Sequence, residues 1–334
     1  MPNSYVPDEL DIAIIDSLSI SPRASLLAVA NTLGTNSSTV VRRWDRLKDL
    51  GLAWTLCVRD YTALAVQDHM DVRCRPGFVE ELARLFCEVR CCLTVSAVSG
   101  NADLRILVDV PDISSLHEFM NHEVWRNRGI LSVEHNIATE VFRTAHGWVS
   151  GSLSLRQQTA MRQTVTRHRP ALSNLTAAEE QIALFLQKDA RTPANVIAGE
   201  LGMSLASASR QINRLLKSRK IELRAEAAHA VVGWPVSVGL YSQVDPAELR
   251  SAAAGAAKLP GSRATHSVVS PRWNLMTIYW MRDLAEIHRL EAALEGAHES
   301  LTVVARQVTL KSYKRMGMIF DANDRALRNV PTDL

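Results

Sequence analysis

The chain repeats itself over a long distance, and that repeat limits its fold more than any other feature. A shift of 168 residues lays "LLAVANTLGTNSSTVVRRWDRLKDLGL" on "ANVIAGELGMSLASASRQINRLLKSRK" and matches Gly34 to Gly202. Under that shift Arg23 meets Arg191, Arg42 meets Arg210, Arg46 meets Arg214 and Leu47 meets Leu215. A second shift of 171 pairs Val98-Ser99 with Val269-Ser270 and Asp112 with Asp283. The difference of three residues is an ordinary loop insertion. A period near 170 is too long for a solenoid repeat, so the pattern points to duplication and fusion of a two-part protein. The order is A-B-A′-B′.

A chain of 334 residues is too long for one ordinary core. Its net charge of +3 says little about a partner, but the charge is uneven. Residues 151–173 carry Arg156, Arg162, Arg167 and Arg169 and no acid. Residues 210–224 carry Arg210, Arg214, Lys217, Arg219, Lys220 and Arg224 against Glu222 alone. Such runs suit an acidic polymer or a solvated face. The five cysteines (Cys57, Cys74, Cys87, Cys91, Cys92) are odd in number and form no Cys-x-x-Cys pair. They read as reduced thiols of a cytoplasmic protein. No signal segment is expected, and no apolar run reaches the ~20 residues that span a bilayer.

In unit A, Leu10, Ile14 and Leu18 form one helical stripe, and Pro22 interrupts it. Leu26, Val29, Ala30 and Leu33 mark a second helix, closed by Gly34. Asn36 is placed to cap a third helix with Val40, Trp44 and Leu47 inward. Its outer face carries Ser37, Ser38, Thr39, Arg42, Arg43 and Arg46. In A′, Ser204 is the capping residue, Ala208, Ile212 and Leu215 point inward, and Ser207, Ser209, Arg210, Gln211 and Arg214 point outward. Hydroxyls at the start of an exposed helix and arginines along it suit the major groove of double-stranded DNA. A structural bundle with a solvated basic face is the plainer alternative.

Units B and B′ each read as βαββαβ, a ferredoxin-like sandwich. In B the last strand is expected to run unbroken over 133–143. The divisions are 1–55 and 175–225 for the heads, 60–147 and 233–320 for the sandwiches, and 148–174 for a basic linker. The corner "VSGNADLRILVDVPD" joins the middle strands of B. Gly100 and Asn101 tolerate positive φ, so a hairpin turn alone accounts for them.

A helix-turn-helix followed by βαββαβ, with that Val-Ser-Gly-Asn-x-Asp corner before a Val-Pro-Asp helix start, resembles the Lrp/AsnC (feast/famine) family of transcriptional regulators. The resemblance covers 8–143 well and 175–312 more loosely. It implies an α+β chain with two winged-type heads alternating with two ferredoxin-like domains of the dimeric α/β-barrel type. It further implies a DNA-binding regulator rather than an enzyme, without a cofactor, forming a homo-oligomer and answering to a small effector of the amino-acid class. Gly100, Asn101 and Asp103 are then the effector-loop residues. In B′ their places are taken by Pro271, Arg272 and Asn274. Proline cannot adopt positive φ, so only the first corner is expected to bind and Arg272 is expected to be indifferent. The alternative on the same architecture is a resemblance to siroheme decarboxylases, for which His266, Arg272 and Trp273 are the candidate residues.

Overall fold

A computed structural model describes residues 5–60, 65–163, 175–218 and 220–333. Arg167, Arg169 and Arg219 of the basic runs lie outside the described residues. The first head contains α1 (Glu9–Ile20), α2 (Leu26–Leu33), α3 (Ser37–Asp49) and a strand, β1 (Ala53–Arg59). Gly34 ends α2 at φ 68°, and Asn36 caps α3 by accepting from the Thr39 N–H. Ile14, Leu18, Val29, Val40, Trp44 and Leu47 are its buried core.

The first sandwich follows as β2 (Val66–Cys74), α4 (Val79–Glu88), β3 (Cys92–Val98), β4 (Leu104–Val110), α5 (Ile113–Phe119), β5 (Ile130–Glu134) and β6 (Ile137–Arg143). The strand expected over 133–143 is thus two strands broken at His135-Asn136. The buried Asp68 carboxylate causes the break: it binds His135 Nδ1 and accepts from the Asn136 N–H at 2.9 Å. Asn136 then serves His69, donating Nδ2 to its carbonyl at 2.7 Å and accepting its N–H at 3.0 Å.

The segment after β6 is more than a tether. It contains α6 (Leu155–Gln163), whose Met161 is buried in the first head's core. Buried Asp16 accepts from the backbone and hydroxyl of both Ser150 and Ser152. The second head repeats the first as α7 (Ala177–Lys188), α8 (Ala194–Glu200), α9 (Leu205–Ser218) and β7 (Ile221–Ala227). The second sandwich is β8 (Val236–Gln243), α10 (Leu249–Ala256), β9 (Ser262–Val269), β10 (Leu275–Met281), α11 (Ile287–Ala297) and β11 (Thr302–Arg315). A closing hairpin, β12 (Met318–Phe320) and β13 (Ala326–Asn329), follows.

Two sheets organise these elements. β1 and β7 form a two-stranded antiparallel ribbon that joins the heads. The sandwich strands run in the order β11-β3-β4-β2-β6-β9-β10-β8, and β8 pairs back to β11, closing an eight-stranded barrel. Each unit lends its last strand to the other: β6 pairs with β9, and β11 pairs with β3. Closure leaves no free edge on this ring. The helices cover the outside, and the apolar cores lie between helices and strands around Phe86, Leu82 and Ile106 in one unit and Leu240, Tyr279 and Leu275 in the other. No helix of the described residues is long and apolar enough to cross a membrane.

Candidate functional site

Strand alternation decides what faces the barrel interior. On β4, Leu104, Ile106 and Val108 pack outward beneath the helices, and Arg105 and Leu107 point inward. On β2, Met70 and Val72 pack outward, and Gln67 and His69 point inward. Thr94 and Ser96 of β3, Ala264 and His266 of β9, Ile278 and Trp280 of β10, and Thr309, Ser312 and Arg315 of β11 complete the inner wall. Arg224 and Glu226 of the head ribbon, with His229, line the same cavity. The cavity volume is about 140 Å³, and about 1030 Å³ of space lies within it when the opening to solvent is counted.

The chemistry of this wall is cationic. Four arginines (Arg105, Arg224, Arg263, Arg315) and one carboxylate (Glu226) line it among the described residues. Arg105 is held by Asp71 at 3.2 Å and lies 4.8 Å over the Tyr241 ring. Gln307 supports that pair, donating to Asp71 and accepting from the Tyr241 hydroxyl, each at 3.2 Å. Arg263 donates to Glu226 at 2.8 Å, and Arg224 pairs with Glu222.

Two histidines meet inside. The rings of His69 and His266 are 4.9 Å apart and nearly perpendicular. His69 Nε2 and His266 Nδ1 are buried without a hydrogen-bond partner. Burial drives the His266 imidazole down to about 4, and Arg224 adds to the fall. Burial, then His266 and Arg105, holds His69 well below the ordinary histidine range. Both rings are neutral near pH 7, with nitrogen lone pairs to offer.

Only part of the sequence reading converges here. His266 lines the cavity. Arg272 does not: it is half exposed and pairs with Glu134 at 2.9 Å. Trp273 is buried against Tyr241 with ring centres 4.7 Å apart. His69, Arg105, Arg224, Glu226, Arg263 and Arg315 were not read from the sequence as site residues. One signal was present: Gln67, His69, Asp71 and Arg73 place four polar side chains on one face of the strand, against Val66, Met70, Val72 and Cys74 with Asp68 on the other.

The corner residues Gly100, Asn101 and Asp103 line a separate polar cleft with Asp71, Arg73, Ser132 and Glu134. Arg272 lines it too. The Asp103 carboxylate is already engaged, accepting from the Cys74 N–H at 2.7 Å.

On the first head's outer helix, Ser38 and Thr39 donate their hydroxyls to Asn36 Oδ1. Arg43 is tied to Asp8 at 2.7 Å and to Asp11 at 3.0 Å, and Arg46 lies 3.9 Å over the Tyr5 ring. Ser37 is half-buried and Arg42 exposed. On the second head Ser204 caps α9 by accepting from the Ser207 N–H, and Ser207 accepts from Gln211 Nε2 at 3.1 Å. Ser209 is half-buried, and Arg210 and Arg214 are exposed.

Residues 8–48 match the AsnC-type helix-turn-helix domain. Residues 180–222 match a winged helix-turn-helix DNA-binding domain. No curated protein matches the chain in sequence. Among solved structures, the siroheme decarboxylase NirDL in co-complex with an iron-uroporphyrin III analogue is similar at a TM-score of 0.60 and 12% identity, covering 92% of this chain and 93% of that one. NirDL alone is similar at 0.60 and 12% identity, covering 95% and 96%. AsnC of E. coli is similar at 0.31 and 15% identity, covering 41% of this chain and 95% of that one. The expectation that the chain is not an enzyme is corrected by these findings, because the fold that matches along its whole length is that of a decarboxylase. An AsnC-type head, a second winged helix-turn-helix head and two ferredoxin-like units closed into one barrel make up the chain, an arrangement similar to a tandem Lrp/AsnC protein.

Proposed function

We propose that the chain binds an anionic iron tetrapyrrole in the barrel cavity and decarboxylates it, in the manner named for the decarboxylase whose fold it shares. The observation that carries this reading is the His69–His266 pair set among four guanidiniums. Guanidinium binds carboxylate bidentately and keeps its charge when buried. Arg105, Arg224, Arg263 and Arg315 hold the ligand's acidic side chains, and a neutral imidazole nitrogen takes the substrate's iron or relays a proton. In such a reaction a carbon–carboxylate bond breaks and CO₂ leaves. The electron pair stays on carbon and accepts a proton. The test is an absorbance titration with iron uroporphyrin III together with a mass-spectrometric assay on siroheme. A shifted Soret band that weakens in the His69→Ala/His266→Ala double variant is expected. No spectral change and no loss of CO₂ sinks the reading.

A second reading rests on the heads. The match of 8–48 to an AsnC-type domain and the exposed Arg42, Arg210 and Arg214 support binding of double-stranded DNA. Changing all three arginines to alanine then weakens DNA binding and flattens its salt dependence by about one unit per lost phosphate contact. An unchanged slope removes the three arginines from the interface. The polar cleft at Gly100, Asn101 and Asp103 is the place for an amino-acid effector. A thermal-shift response to amino acids that Asn101→Ala leaves intact argues against that assignment.

A further inference from the structure

Cys91 and Cys92 are adjacent in the sequence and meet at the turn between α4 and β3. The Cys92 N–H closes that turn, donating to the Val89 carbonyl at 3.3 Å. In an extended strand neighbouring side chains point to opposite faces. Cys91 lies in the turn, before β3 begins, and the two thiols hydrogen-bond to each other. Cys91 is half-buried and lines an outer cleft with Arg90, Val110 and Phe119, whereas Cys92 is fully buried. One sulfur is reachable from solvent and its neighbour is not.

A buried cation stands beside them. Lys314 of β11 is fully buried and donates Nζ to the Val89 carbonyl at 3.0 Å. It forms no ion pair among the described residues. Glu88, an acid that acts on it, is exposed and bound to Arg328. The other groups that act on the ammonium are the thiols of Cys92, Cys87 and Cys91. A buried ammonium is costly unless a negative charge stands beside it, and a thiolate is the charge these three neighbours can offer. Burial pushes Cys87 up to about 11 and holds Cys92 well above the ordinary thiol range, so both keep their protons. The Cys92 S–H donates toward the Cys91 sulfur, which is thereby the one placed to attack.

We propose that Cys91 and Cys92 form a reversible oxidation site for hydrogen peroxide that closes into a disulfide, with Lys314 supplying the positive charge that promotes the attack. The Cys91 thiolate attacks one peroxide oxygen. An S–O bond forms, the O–O bond breaks, and the departing hydroxide takes up the proton that Cys91 lost and becomes water. The Cys92 sulfur then attacks the Cys91 sulfenic acid. An S–S bond forms, the S–O bond breaks, and hydroxide leaves with the Cys92 proton as a second water. Two thiols are oxidised and one peroxide is reduced. The site is independent of what the barrel cavity binds.

The experiment treats the full chain with hydrogen peroxide, blocks the remaining thiols with N-ethylmaleimide and digests with trypsin. Cleavage places Cys87 in peptide 85–90 and both Cys91 and Cys92 in peptide 91–105. Peptide 91–105 should lose two hydrogens, gain neither oxygen nor blocking group, and recover its thiols in dithiothreitol. Lys314→Met should form the bridge about tenfold more slowly, and Cys87→Ser at the wild-type rate. A bridge between the two peptides, oxygen held on Cys91 beside a free Cys92, or thiols that all stay free overturns the proposal. So does an unchanged rate in Lys314→Met. Two serine variants keep the test decisive should Lys314→Met fail to fold. Cys92→Ser should stop at a Cys91 sulfenic acid that dimedone traps, and Cys91→Ser should leave Cys92 unoxidised. Oxidation of Cys92 in Cys91→Ser, or no trapped acid in Cys92→Ser, overturns the assignment of Cys91 as the attacking sulfur.

Discussion

Leu56 faces Arg224 across the ribbon that joins the two heads. These two residues are equivalent under the 168-residue repeat, so the internal two-fold axis passes between them. The neighbouring contacts obey the same axis: Ala228 N–H donates to the Leu52 carbonyl, and Asp60 N–H donates to the Lys220 carbonyl. The symmetry is one of backbone, not of chemistry. Arg224 lines the cavity, whereas Leu56 is buried in an apolar cluster with Trp54, Val58, Met318 and Phe320.

That difference predicts stoichiometry. Under the same repeat Glu226 corresponds to Val58, and in the strand register Arg263 corresponds to Leu93 and His266 to Ser96. The second equivalent place thus lacks charges and is packed by the closing hairpin. Titration with iron uroporphyrin III should saturate at one ligand per chain. Two equivalent sites by calorimetry contradict this.

The closing hairpin gives a paired test of two glycines. Gly34 and Gly51 both have positive φ, 68° and 65°. A methyl group at Gly34 meets nothing within 4 Å, but at Gly51 it comes 2.4 Å from the Ala326 carbonyl oxygen. Gly34→Ala should cost about 1 kcal/mol, the ordinary penalty of that backbone region. Gly51→Ala should cost at least about twice as much, because Ala326 N–H also donates to the Gly51 carbonyl. Equal losses in urea unfolding refute a tight contact at the hairpin.

Arg23 and Arg191 pin the heads together reciprocally. Arg23 donates to the Ala190 carbonyl at 2.6 Å, and Arg191 to those of Pro22 and Ala24 at 2.7 and 2.9 Å. Each arginine therefore reaches into the turn that precedes the other head's second helix. Hydrogen bonds from a charged donor contribute about 1.5–3 kcal/mol, so Arg23→Met and Arg191→Met should each lower stability by roughly that amount. Comparable losses are expected from the two sites; a loss at one alone shows that the two-fold contact is not shared.

Acid should weaken the fold through its buried histidines. The folded pKa values of His266 and His229 are pushed down to about 4, by burial first in both. In that case the unfolded chain binds protons first. The stability they confer is present above the unfolded value of about 6.5 and is lost as pH falls toward 4. Asp109 opposes this trend, since burial raises it to about 6, and the stability it confers is lost as pH rises through that value. His135, raised by its bond to Asp68, acts in the same opposing sense. His266→Gln isolates one contribution: it should flatten the rise in stability between pH 4 and 6.5 by on the order of 3 kcal/mol. An unaltered slope means that His266 is not buried as a neutral ring.

Periodicity and end signals revealed the helices of the heads. The stripe of Val40, Trp44 and Leu47, the cap at Asn36 and the left-handed Gly34 act within a few residues, so the heads were legible in the sequence. The repeat itself gave the A-B-A′-B′ order. The break at His135-Asn136 was not legible, because its cause is Asp68, far back in the chain. Nor was the cavity. His69 and His266 are not equivalent under either shift, and only barrel closure through the β6–β9 and β11–β3 seams brings their rings within 4.9 Å. The sequence by itself determined the head helices, their caps and the duplication. The tertiary structure alone decided which polar faces turn toward one another, because strand alternation sets a face and only the ring of partners makes that face an interior.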